Sequence, residues 1–83
     1  MKKISELNNY YFIVKSIELA TDFTTDLGIR GFTFGLGSHP ENLYLEEGDI
    51  VEVITKEKII YTPETKNLLE NDSVEIQLSD YTW

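Results

Sequence analysis

The residues best placed to do chemistry in this chain are carboxylates. Glu46, Glu47, Asp49 and Glu52 lie close together around the turn signal Gly48-Asp49. Asp favours such turns because its side chain bonds nearby backbone groups, and acids flanking a turn stay solvated. Carried on a rigid β-surface, they attract a basic partner. Tyr44 and Tyr61 lie on either side in sequence and offer the aromatic area that anchors interfaces. Material for catalysis is thinner. His39 is the only histidine, beside Ser38 and Glu41. A nucleophile, base and orienter need mutual geometry that one Pro-containing loop rarely supplies, so His39 reads as a loop residue. Asp22 and Asp26, with Thr21, Thr24 and Thr25, offer oxygens to a hard cation. They lack the glycine and distal glutamate of an EF-hand loop, and turn capping is their plainer role. The glycines at 28, 31, 35 and 37 are followed by no Lys-Ser/Thr and open no helix, so they make no phosphate cradle. They read as bends in a strand. The expectation is no enzyme, no catalytic residue, no metal and no cofactor.

The bulk properties agree with a binding role. With 83 residues the chain suits one small domain, 1–83, with a thin stability margin. Composition is 41% hydrophobic, 12% aromatic and 27% charged, which is globular and not disordered. There is no cysteine, which excludes disulfides and thiolate metal sites. The opening MKKISELNN has no apolar stretch after its lysines, and no apolar run approaches the roughly 20 residues of a membrane span. A cytoplasmic protein in a bacterial cell, without membrane contact, is expected. Fifteen acidic residues against seven basic ones leave a formal charge of −8. Nucleic-acid binders need the opposite sign, and Lys2, Lys3, Lys15, Arg30, Lys56, Lys58 and Lys66 are scattered in sequence.

The elements that would position these groups are mostly strands. Tyr10–Leu19 is aromatic and β-branched and reads as a strand. The Thr and Asp residues of ATDFTTDLG favour turns. Phe32, Phe34 and Leu36 alternate as a strand, and inward-facing core is their favoured role. DIVEVIT and KIIYT form a hairpin across KEK. TPETKNLLEND starts a helix near 63–71, with Thr62 as cap, Pro63 in the first turn, and Leu68 and Leu69 turned inward. SVEIQLSDYTW alternates as a last strand, with Val74, Ile76 and Leu78 on one face. The expected fold is mainly β with one short helix: a small, strongly bent antiparallel sheet, or an SH3-like or OB-like barrel of five to six strands.

Three stretches resemble known families. Arg30-Gly31-Phe32-x-Phe34 resembles the start of the RNA-contacting strand of an RRM. That fold, however, needs a strand, a helix and a strand upstream, and Leu19 to Arg30 has no room for a helix and a strand. The same stretch with LEEGDIVEVI resembles cold-shock barrels, which implies single-stranded nucleic-acid binding. Acidity and the absence of that family's first-strand motif oppose it. LYLEEGDIVEVI resembles the diverging turn of SH3-like barrels over about half the chain. No tryptophan follows the central turn, so Pro-rich peptide binding does not carry over. In type, a small, acidic, cysteine-free chain resembles phage-encoded inhibitors of host systems, including anti-CRISPR proteins and other DNA mimics. The leading expectation is a non-enzymatic inhibitor that occludes a basic surface on a larger host protein through Glu46, Glu47, Asp49, Glu52, Tyr44 and Tyr61, without contacting nucleic acid itself. The alternatives are a β-barrel subunit of a phage or cellular assembly, and a cold-shock-like binder.

Overall fold

The computed structural model describes residues 2–35, 45–63 and 65–83. Its elements in chain order are β1 (Lys2–Lys3), a 3-10 turn, β2 (Asn9–Ile13), α1 (Ile17–Ile29), β3 (Thr33–Phe34), β4 (Ile50–Ile54), β5 (Ile59–Tyr61), α2 (Thr65–Glu70), β6 (Val74–Glu75), a second 3-10 turn and β7 (Tyr81–Thr82). Five strands form a mixed sheet in the order β3-β5-β4-β2-β6, and β1 pairs β7 in parallel apart from it. The β-rich expectation with a short helix holds. Barrel closure does not: among the described residues the sheet is open, ending on β3 and β6.

The expected hairpin forms. β4 and β5 pair antiparallel with Glu52 opposite Tyr61, Val53 opposite Ile60 and Ile54 opposite Ile59. Lys58 closes the turn at φ 56, a left-handed conformation uncommon for a residue with a side chain. β2 lies antiparallel on the other side of β4, with Tyr10 opposite Val53 and Phe12 opposite Val51. Directly opposed residues share a face. Tyr10, Phe12, Val51, Val53 and Ile60 therefore make one apolar face, and all five are buried.

The segment expected to be turns is α1, the longest element. Ser16 caps it, its hydroxyl accepting the Leu19 N–H at 3.2 Å, and Glu18 meets the positive end of the helix in the first turn. Ala20, Thr24 and Leu27 are buried and Phe23 is partly so, a spacing that puts one stripe against the sheet. Phe23 packs edge-on against Tyr10 at 6.4 Å and Phe12 at 5.4 Å. The threonines and aspartates do not break the helix because most point to water, while Thr24 bonds back to the Thr21 carbonyl at 3.1 Å. The strand expected over Tyr10–Leu19 thus ends at Ile13.

The helix end explains RGFTF. Arg30 caps α1, and Gly31 turns the chain at φ 94, where a side chain would be strained. Phe32 then drops into the core and Phe34 packs against it from the edge. Leu36 and Gly37 lie outside the described residues. The range 63–71 brackets α2, but Leu69 is 77% exposed and only Leu68 turns partly inward. The last expected strand is split by the 3-10 turn, and its expected inward face is uneven, with Val74 exposed and Ile76 buried.

Candidate functional site

The Glu46–Asp49 turn is built as its residue types require. Asp49 Oδ2 accepts the Glu46 N–H at 2.9 Å, and the Asp49 N–H donates to the Glu46 carbonyl at 3.1 Å. Gly48 sits at φ 94. Two further bonds tie the turn to the end of β2. The Val14 N–H donates to the Asp49 carbonyl and the Gly48 N–H to the Val14 carbonyl, both at 2.8 Å. Glu46 and Glu47 project from this fixed turn into solvent, while Asp49 is half-buried by its capping role.

Glu52 does not belong to that surface. It points to the sheet face opposite α1 and is fully buried. Tyr61 and Ser73 donate their hydroxyls to its two oxygens, and Asn71 Nδ2 stands 3.3 and 3.4 Å from them. Asn71 also reaches the Tyr61 hydroxyl at 3.1 Å, and its carbonyl accepts from Asn9 Nδ2 at 3.1 Å. Every donor is neutral. Burial first, and the bond to Glu52 second, push the Tyr61 phenol up to about 12. Tyr61 is half-buried and, with Asn71, lines an open cleft of 770 Å³ over the β4–β5 turn. The carboxylate behind them cannot reach anything in that cleft. Tyr44 lies outside the described residues, as do His39, Ser38 and Glu41.

A second set of acids escaped the sequence reading because α1 did. Glu18, Asp22 and Asp26 are spaced by four, and all are exposed. On a helix that spacing stacks side chains about 6 Å apart on one face. Asp22 and Asp26, weighed as cation ligands, therefore belong to an outward carboxylate stripe. Its first residue begins just after Val14, where the Glu46–Asp49 turn is bonded. The described cations do little to neutralise these acids. Lys15 bonds Gln77 at 2.9 Å, Lys2 lies over the Tyr81 ring at 6.0 Å, and Arg30 lies over the Trp83 ring at 4.0 Å. Among the described residues no helix is long and apolar enough to cross a membrane. The chain matches no protein-family model, no curated protein and no solved structure.

Proposed function

We propose that this is a non-enzymatic binding protein that sets its acidic end against a basic surface of a larger protein. One observation carries the reading: the turn that exposes Glu46 and Glu47 is backbone-locked to Val14, four residues before the exposed Glu18-Asp22-Asp26 stripe begins. Carboxylates held in fixed positions spend little entropy on docking and steer association with a basic partner. The partner class that suits them is a nucleic-acid-handling protein, with the carboxylates standing in for phosphates. In its finer form the protein is a phage or mobile-element inhibitor of a host defence protein.

The test is retention of partners from a low-GC bacterial lysate, eluted in salt steps. A basic, nucleic-acid-handling protein released at moderate salt supports the proposal. A triple reversal, Glu18→Lys with Glu46→Lys and Glu47→Lys, is expected to weaken that partner at least ~10-fold while the circular dichroism stays native. Asp49 is left intact because it holds the turn. Unchanged binding by the folded variant refutes the site. The assembly reading has an observation of its own: Ile13 and Leu19 are exposed and line a shallow groove with Leu78. A partner held there survives high salt, since apolar contact is not screened.

A further inference from the structure

At the far end of α1 from the acidic turn, a cavity of 170 Å³ opens between the helix, the sheet and the β1–β7 pair. Ile4, Leu27, Phe32 and Trp83 form its apolar walls. Tyr10 lies in it too, and only 1% of that residue is exposed. Among the described residues its hydroxyl has no hydrogen-bond partner. Across the sheet, Glu52 shows how thoroughly this fold satisfies a buried polar group. The Tyr10 hydroxyl is thus a donor that opens to the cavity on whose wall it lies, since among the described residues no fully enclosed side-chain N or O lacks a partner.

The mouth is cationic. Arg30 lines it, and the named contact of its guanidinium is the face of Trp83. Phe23 stacks parallel to the indole at 5.1 Å, which holds the ring still. A Cβ placed on Gly31 would lie 3.7 Å from Lys58 Nζ, so that ammonium stands beside Arg30's neighbour. Lys2 and Lys3 run along Tyr81 and Thr82, next to Trp83. Basic residues scattered in sequence gather at this end of an acidic molecule. A stacked guanidinium keeps its edge N–H groups free, and that edge matches a carboxylate bidentately.

We propose that this cavity binds a small monocarboxylate with a benzene-sized apolar body. Its ring or branched chain fills the space between Leu27, Phe32 and Trp83, and its carboxylate meets Arg30 at the mouth. The second oxygen of the same carboxylate accepts from the Tyr10 hydroxyl. The size is apt, since an apolar cavity of about 150 Å³ holds benzene. Local charge overcomes the net charge of −8 because distant acids are screened beyond about 10 Å at ordinary ionic strength. The proposal is independent of the acidic surface and its partner.

Benzoate is the probe, and Trp83, the only tryptophan, is the reporter. Saturable change in Trp83 fluorescence is expected with a Kd on the order of 1 mM, fitting a ligand so small. Acetate, which lacks the body, and toluene, which lacks the charge, should each bind at least ~10-fold more weakly. Tyr10→Phe should weaken benzoate ~5-fold with the melting temperature of the parent kept. Arg30→Gln should weaken it ~10-fold or more, read by ligand-observed NMR because the indole stack itself changes. No saturable binding overturns the proposal. So does toluene binding as well as benzoate, or benzoate affinity unchanged in both variants.

Discussion

Glu52 on β4 and Tyr10 on β2 are buried almost equally, 0% and 1% exposed, on opposite faces of one sheet. Their surroundings could hardly differ more. Glu52 is met by a tyrosine, a serine and an asparagine, all brought by β5 and the segment after α2. Tyr10 is met by rings and alkyl groups, and its hydroxyl bonds nothing among the described residues. Burial raises the Tyr10 phenol above its ordinary value, as expected where only its neutral form is tolerated. One face has spent its buried polarity on fixing strand positions. The other has kept a polar atom in reserve. A buried group that is fully bonded belongs to stability, and a donor left facing a cavity is available to a ligand.

The most severe way to break this contrast is to empty the satisfied side. Glu52→Ala leaves the donors of Tyr61, Ser73 and Asn71 facing a void. Each buried donor without a partner costs about 1–3 kcal/mol. We expect a loss of about 3 kcal/mol in urea denaturation, much of what a domain of this size holds. A loss below about 1 kcal/mol would mean that Glu52 is not held as drawn.

The next test uses pH. Tyr61 is raised from 10.0 to about 12 by burial and then by Glu52. The unfolded chain therefore gives up this proton first as pH rises, so Tyr61 contributes stability that is complete below pH 10 and disappears towards pH 12. The denaturation midpoint should fall across that window, and Tyr61→Phe should flatten the fall, leaving the share that belongs to Tyr10. At neutral pH the same substitution takes one donor from Glu52, at a cost of about 1 kcal/mol. An alkaline slope unchanged in Tyr61→Phe would remove Tyr61 from the network.

How much of this was legible in the sequence depends on which contacts are local. The β4–β5 hairpin and the Asp49-capped turn were readable, because each is closed by residues only a few positions apart. The helix α1 was not read, although Ala20, Phe23, Thr24 and Leu27 follow its period. A small residue and a threonine dilute that stripe, and Ile17, Leu19 and Ile29 scatter apolar side chains around the other faces. Glu52 was grouped with the turn acids because it lies three residues from Asp49, although β4 turns it to the sheet face opposite α1. What covers that face comes from Asn71 and Ser73, and no local pattern announces them. The Tyr10 cavity draws on Ile4, Tyr10, Leu27, Phe32 and Trp83, whose meeting depends on the whole topology. RGFTF drew notice for its likeness to RNA-contacting strands, whereas in the fold its arginine caps α1, its first phenylalanine is core, and both line the cavity.

The smallest expected effect is the most telling about the contrast. Tyr10→Phe deletes one oxygen and nothing else from the cavity wall. If the hydroxyl were structural, its loss would cost about 1 kcal/mol, as for an ordinary hydrogen bond. Because it opens to the cavity and bonds no protein acceptor among the described residues, its removal should leave stability unchanged to within about 0.5 kcal/mol. The comparison is with Tyr61→Phe in the same denaturant series: the same chemical change, two strands away, at a cost that the cavity side does not share. Equal destabilisation by both would show that Tyr10 is bonded after all, and the two faces of the sheet would then follow one rule.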